Sequence, residues 1–334
     1  MANSPHPKVS VVVPNYNHAR FLRQRLDSIV GQSFQDFELI LLDDCSTDDS
    51  RLILREYAGD PKVRMAFNEK NSGSTFRQWN KGVGLARGEY VWIAESDDYS
   101  DERLLQRLVK VLDDEPEVTL AHCRSWQVSE DGRQNGFMDS YFRFLDAHRW
   151  TADFLADGHE ECRSSFLCTN PVPNASAVVF RKAIYERVGG ADENLRLCGD
   201  WKLWAAMAFE GKIAYLGEPL NCHRTHNESV RRKSNRTGLD SAEALQVIRG
   251  ILGRVTPTEA VWETLRWSAG MYWPWAIVSL HVPLGVKRAI LQDARAIDPH
   301  AMQRVFRTAM TAARLKLVKE FRLVRQRFEG RQHP

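Results

Sequence analysis

Apolar residues along this chain come first in short continuous runs and then at helical spacing, in repeated alternation. Residues 8 to 13, Lys-Val-Ser-Val-Val-Val, read as a strand buried on both faces of a parallel sheet, and Pro14 stops it. From Ala19 to Gln32, Phe21, Leu22, Leu26, Ile29 and Val30 recur at helical spacing, with Asn17 as cap and Gly31 near the end. The same reasoning predicts a strand from Phe37 ending at Asp43 and a helix over Asp49 to Ala58 capped by Ser46 or Thr47. A short strand over Val63 to Phe67 and a helix over Ser74 to Ala86 follow, then a strand over Tyr90 to Ala94 and a helix over Asp101 to Asp114. This βαβ alternation predicts an α/β fold of Rossmann-like character.

Beyond residue 118 the alternation weakens. A strand is expected over 118 to 127 and an irregular stretch over 130 to 173, with one short helix near Ala152 to Ala156. Ala175 to Phe180 resumes the sheet, and from Ser241 onward the pattern is helical, interrupted near Pro257, Pro274, Pro283 and Pro299. No internal repeat is present. With 334 residues and 43% hydrophobic content, the chain can bury a large core, one main domain with an appendage. The formal charge is only +3, from 46 basic and 43 acidic residues, so no global field favours nucleic acid. The cysteines, Cys45, Cys123, Cys162, Cys168, Cys198 and Cys222, are scattered without a metal-binding spacing and are expected to be reduced thiols of a cytoplasmic protein. No signal peptide and no apolar run of about 18 residues is evident, so a membrane would be touched rather than crossed.

The chemistry gathers at strand ends. The run Glu89 to Ala94 leads into the adjacent aspartates Asp97 and Asp98, and the run Phe37 to Leu42 leads into Asp43 and Asp44. Carboxylates at the carboxyl ends of parallel strands suit a nucleotide whose base meets one acid and whose diphosphate meets a divalent cation held by another. Taken locally, each pair reads equally as a turn that caps the next helix. Asp200 falls at the amino end of a helix with Leu203, Ala206 and Met207 on its apolar face, where an N-cap is the plain alternative to catalysis.

Four segments in order, Val9 to Ser50, Asn68 to Tyr99, Cys198 to Trp204 and His223 to Val230, resemble an inverting glycosyltransferase of family 2 with the GT-A fold. The resemblance implies a mostly parallel mixed sheet, with a catalytic region over 1–235 (nucleotide-binding half about 8–128, acceptor-binding half about 129–235) and a helical region over 236–334. It implies a nucleotide-diphospho-sugar donor, most readily UDP-linked, and as acceptor a hydroxyl of a glycan or lipid-linked saccharide in surface polysaccharide assembly. It places Asp44 on the pyrimidine N3-H, with Pro14 and Tyr16 lining the base pocket and Asp43 as second contact or support. It makes Asp98 the ligand of Mn2+ or Mg2+, puts Asp97 on the ribose and makes Asp200 the base. Arg77, Arg224 and His226 fall to the donor's phosphates, with His226 alternatively a second metal ligand. Two departures stand out: Ser96-Asp97-Asp98 replaces the usual Asp-x-Asp, and the loop after Asn71 is one residue longer. Transfer to polyprenyl phosphate, or a nucleotide-sugar-binding scaffold without activity, are the rival readings.

Residues 221 to 236 are poor in apolar side chains and read as a mobile loop over the donor, with Arg231 to Lys233 equally a solvated charge run. At the end of the chain, Leu317, Phe321, Val324 and Phe328 share a helical face bordered by Lys and Arg, a pattern suited to an anionic membrane surface. Trp262, Trp267, Trp273 and Trp275 could add an interfacial patch or pack a helical lid on the main domain.

Overall fold

The computed structural model describes residues 6–142, 145, 146, 148–226, 237–270 and 273–314. The amphipathic segment over 315–331 and the basic residues Arg231 to Lys233 lie outside these. The first half alternates β1 (Val9–Asn15), α1 (Ala19–Val30), β2 (Phe37–Asp43), α2 (Ser50–Glu56), β3 (Val63–Phe67), α3 (Thr75–Leu85), β4 (Tyr90–Ile93), the two-residue β5 (Tyr99–Ser100) and α4 (Leu104–Asp114). Then come β6 (Val118–Val128), β7 (Gln134–Phe137), β8 (Phe154–Asp157), α5 (Gly158–Arg163), α6 (Ser165–Cys168), β9 (Val178–Arg181), α7 (Lys182–Arg187), α8 (Gly199–Ala208) and β10 (Lys212–Arg224). The helical region contributes α9 (Leu239–Leu252), α10 (Glu259–Gly270), α11 (Trp273–Val278), α12 (Leu284–Ile297) and a further helix over 301–314.

The sheet order is β3-β2-β1-β4-β9-β6-β10-β5, with β7 added to β6 and β8 to β10. β1 pairs in parallel with both β2 and β4, and β6 in parallel with β10, while β9 lies antiparallel between β4 and β6. The long strands therefore deliver their carboxyl ends to one edge of the sheet. Successive side chains of a strand point to opposite faces, and β1 shows the consequence. Val9, Val11 and Val13 enter one apolar layer with Leu22, Leu26, Leu105 and Leu108, whereas Val12 enters the other with Phe76, Trp79 and Trp204. Leu245, Ile248, Ile251, Leu265, Ile290 and Ile297 of the helical region belong to this second layer, so α9, α10 and α12 pack on the same core as α3 and α8. At Gly82 of α3 a Cβ would stand 2.2 Å from Val12 Cγ1, so this glycine sets how closely α3 approaches the sheet.

Three sequence expectations are corrected. The short helix expected near Ala152 to Ala156 is instead strand β8, antiparallel to β10, because Phe154 packs on Trp150 and Tyr215 while the chain completes the β10 edge. The polar stretch Asn221 to Arg224 is not loop but the end of β10, paired with β6, where Asn221 Nδ2 donates to Ser125 Oγ at 3.2 Å and the Arg224 guanidinium finds acceptors inside the protein. The predicted caps Ser46 and Thr47 bind the opposite loop: Ser46 Oγ accepts from Asn17 N at 2.9 Å, and Thr47 N donates to Asn17 Oδ1 at 2.7 Å.

Candidate active site

The exits of β1 and β2 are locked together. Asn17 and Cys45 both adopt left-handed backbone, with φ of 57° and 63°, at matching positions just past the two strands. Such conformations persist in non-glycine residues only where the surroundings hold them, and here Asp44 N donates to Asn15 O at 2.9 Å while Asn15 Nδ2 donates to Asp43 Oδ2 at 3.0 Å. Asp43 is fully buried and also accepts from Ser46 N and Arg51, which makes it the internal anchor of the loop. Asp44 gathers the following loop: Oδ1 accepts from Asn68 Nδ2 (2.7 Å), Ser72 N (2.8 Å) and Gln78 Nε2 (3.0 Å), and Oδ2 from Ser72 Oγ (2.7 Å). Pro14 is buried within β1, whereas Tyr16 is 44% exposed at the rim.

At the end of β4 the chain presents Glu95, Ser96, Asp97 and Asp98. The two aspartates part. Asp98 is only 2% exposed and accepts from Arg224 N at 2.9 Å, and its charge acts on the fully buried Arg25, whose guanidinium burial lowers to about 10. Asp97 turns the other way, where its Oδ2 lies 2.9 Å from His226 Nε2. Burial alone would raise its carboxyl, but the hydrogen bond from His226 and the nearby His18 and His223 outweigh this and hold it low. Ligand atoms of His18, Asp97 and His226 all lie within 4.8 Å of one another, the only such group of three among the described residues. His18 is steered by a 2.8 Å contact between Nδ1 and Ser96 Oγ. Two imidazoles and a carboxylate form a donor set that fits a divalent transition ion such as Mn2+ better than Mg2+, which prefers oxygen throughout.

Glu95 stands in the same turn, buried and within reach of the Asp97 charge. It accepts from Trp79 Nε1 at 2.7 Å, and burial followed by the Asp97 charge pushes its carboxyl up to about 8. The sequence reading took Asp98 as the metal ligand, but the geometry gathers the donor atoms around Asp97, with Asp98 turned into the interior. It missed His18 and Glu95, although the acid-x-acid spacing Glu95-Ser96-Asp97 was a usable signal. For His18 there was none, since only the fold brings the start of α1 to the end of β10.

Asp200 stands in the first turn of α8, one residue past the helix's first. Its Oδ1 accepts from Trp201 N at 2.7 Å and its Oδ2 from Asn170 Nδ2 at 3.1 Å. It is not the N-cap, a position that falls to Cys198. A single turn of α3 links these acids: Phe76 packs so tightly on Gly199 that a Cβ there would meet its ring at 2.5 Å, Gln78 binds Asp44, and Trp79 binds Glu95. Between them Arg77, largely exposed, donates to Ser72 O and pairs with Glu193 at 3.4 Å.

Arg224 stands on β10 rather than on a loop and is 3% exposed. Its guanidinium donates to the carbonyls of Asp97 (2.8 Å) and Glu130 (2.7 Å) and to Gln24 Oε1 (2.6 Å), so its charge is committed to the protein's own acceptors. His226 is likewise buried, at 2% exposure. Trp150, Trp201, Trp204 and Phe142 are buried core residues, and Trp126 stacks on Phe137.

A mostly parallel mixed sheet with paired acid-bearing strand ends, closed by a carboxylate-imidazole cluster, has the architecture of a GT-A fold. A profile of glycosyl transferase family 2 matches residues 10–189, more than half of the chain, and the chain belongs to that family. An uncharacterised glycosyltransferase of Nostoc sp. is 30% identical over 232 residues, 66% of this chain and 65% of that protein. Glycosyltransferase GlyG of Streptococcus pneumoniae is 33% identical over 124 residues, 36% of this chain and 41% of that one. The chain thus spans less than two thirds of these curated relatives. Among solved structures, Staphylococcus aureus TarS in complex with UDP-GlcNAc superposes with a TM-score of 0.65 at 18% identity, covering 90% of this chain and 89% of that one. The mannosyltransferase PcManGT of Pyrobaculum calidifontis, in complex with GDP-Man and Mn2+, gives 0.57 at 19% identity over 96% of this chain and 83% of that one. Both have the same fold.

Proposed function

We propose that this protein is a metal-dependent inverting glycosyltransferase that moves a sugar from a nucleoside-diphosphate donor, of the UDP type, to a hydroxyl of a glycan or lipid-linked saccharide. The observation that carries the proposal is the single turn of α3 that binds Asp44, Glu95 and the helix end bearing Asp200. The UDP-GlcNAc and the GDP-Man with Mn2+ bound by the two structural neighbours support the donor class.

Asp44 receives the base. Three of its four bonds fall on Oδ1, which leaves acceptor capacity on Oδ2 for a pyrimidine N3-H. His18, Asp97 and His226 would hold the cation. When bound, it neutralises charge that builds on the departing nucleoside diphosphate. Asp200 takes the proton from the acceptor hydroxyl on the opposite side of the sugar, its carboxylate aimed by Asn170 Nδ2. A role for Arg77 on the donor phosphates requires that it leave Glu193.

Among the described residues no helix is long and apolar enough to cross a membrane. Trp267, Trp275, Leu280, Leu284 and Phe306 of the helical region are nonetheless between 45% and 96% exposed. Exposed aromatic and aliphatic residues near basic ones suit the interface of a bilayer, so we place the enzyme at the cytoplasmic membrane surface, within reach of a lipid-linked acceptor. Failure of the full chain to co-sediment with anionic vesicles would refute that placement.

The function is tested by thermal shift with UDP and Mn2+ followed by donor hydrolysis. Asp200→Asn should keep the UDP-Mn2+ shift and lose transfer by about 10²- to 10⁴-fold, the usual worth of a general base. Undiminished transfer in that variant would point instead to a phosphate acceptor, which needs no deprotonation.

A further inference from the structure

Glu243 lies on α9, outside the stretch that matches the family, and is 4% exposed. Its Oε1 accepts from Arg196 N at 2.9 Å, and its Oε2 accepts from Leu197 N at 2.8 Å and Cys198 N at 2.9 Å. These are three consecutive backbone amides, and the next two residues are Gly199 and Asp200. One buried carboxylate therefore clamps the chain segment that leads into the proposed base. The same first turn of α9 adds a second tie, from Cys198 Sγ to Asp240 O at 3.9 Å.

The other end of this loop is held by a different element. Asn80 of α3 accepts from Ala191 N at 3.0 Å and donates to Ala191 O at 2.9 Å. The loop over 191–198 is thus pinned at its start by α3 and at its end by α9. Cys198 holds the cap position of α8, and its backbone N–H and the two before it all end on Glu243, so the carboxylate holds the chain just ahead of the helix. Hydrogen bonds from amides to a carboxylate are among the stronger ones, and removing the acceptor leaves three amides to find new partners.

We propose that Glu243 is a positioning residue for Asp200: the helical region completes the catalytic centre through this carboxylate. The inference rests on the reading of Asp200 as the base. A displacement of about 1 Å at a reacting group can cost on the order of 10²-fold in rate. The consequence belongs to turnover, because Glu243 clamps residues 196–198 next to Asp200, while the loop's one tie to a donor-side residue, Glu193 to Arg77, lies at the end held by α3, and the loop meets neither Asp44 nor the His18-Asp97-His226 cluster in the bonds described above.

The test compares Glu243→Gln with the wild type in the full chain. The amide keeps the shape but turns an N–H donor toward at least one of the three backbone N–H groups. The expected result is a roughly 10- to 100-fold lower kcat, with donor KM and the UDP-Mn2+ thermal shift unchanged. In an Asp200→Asn background, Glu243→Gln should cause no further loss, because the group it positions is gone. A Glu243→Gln protein with wild-type kcat below its melting temperature overturns the proposal, and so does one that loses the UDP-Mn2+ shift together with kcat. Should Glu243→Gln not fold, Glu243→Asp is measured. It keeps the charge with a shorter reach and should lower kcat at constant donor KM, and wild-type kcat in it overturns the proposal equally. Full transfer by Asp200→Asn alone would sink the base reading, whereas wild-type kcat in Glu243→Gln beside an inactive Asp200→Asn sinks only this inference.

Discussion

His226 Nε2 lies 2.9 Å from Asp97 Oδ2, joining the residue two past the end of β10 to the acidic turn after β4. The neighbouring carboxylate, Asp98, faces the opposite way and accepts from the backbone of Arg224. Adjacent acids thus have separate surroundings, one among imidazoles and one in the interior.

This separation predicts opposite phenotypes. Asp97→Asn should abolish the Mn2+-dependent part of UDP stabilisation. Asp98→Asn should instead lower unliganded stability by about 3 kcal/mol, because it removes the largest of the negative charges that support the buried Arg25. Urea unfolding and titration of UDP with and without Mn2+ separate the two. A normal Mn2+ response in Asp97→Asn would show that the cation is held elsewhere.

Asp44→Asn replaces an all-acceptor group with one whose amide meets the donors of Asn68, Ser72 and Gln78. UDP affinity should fall at least tenfold, equivalent to about 1.4 kcal/mol, measured by calorimetry. Equal affinity would mean that the base docks away from the β2 exit.

His122 is 2% exposed, its Nε2 lacks a hydrogen-bond partner among the described residues, and burial depresses it from 6.5 to about 3. Between those pH values the unfolded chain binds a proton that the folded chain refuses, so stability falls as pH drops through this window and is fully present above it. The slope contributed is at most about 1.4 kcal/mol per pH unit. Denaturation curves at pH 7 and pH 5 should converge in His122→Phe, whose ring suits the Trp150 and Tyr215 surroundings. An unchanged pH slope in that variant would assign the acid sensitivity to other groups.

Gly82→Ala gains intrinsic helix propensity of about 1 kcal/mol but sets a methyl carbon 2.2 Å from the stiff Val12 side chain in the sheet. We expect net destabilisation of about 1–3 kcal/mol and a fall in turnover, since α3 carries Phe76, Gln78 and Trp79 to the site. A stabilised, fully active variant would show that α3 has freedom to retreat.

Local pattern made the first half of the fold legible. The β-branched run at Val9 to Val13, the helical spacing in α1 and the acids after β2 and β4 are each encoded within a dozen neighbouring residues, and the strands and helices expected there are found. The pattern failed where pairing across long separations decides. Phe154 to Asp157 becomes a strand only because β10 offers an edge, and Asn221 to Arg224 is polar yet buried because β6 and the β4 exit supply its partners.

Within the chemistry, the sequence alone determined that acids stand at the ends of β2 and β4 and that Asp200 begins a helix, since strand length and helix signals are local properties. Which of Asp97 and Asp98 looks outward, that His18 joins them, and that Glu243 from the far end of the chain clamps the approach to Asp200 were decided by tertiary packing. These are contacts between residues separated by 45 to 129 positions in the chain, and their orientation follows from how α3, β10 and α9 close on the sheet.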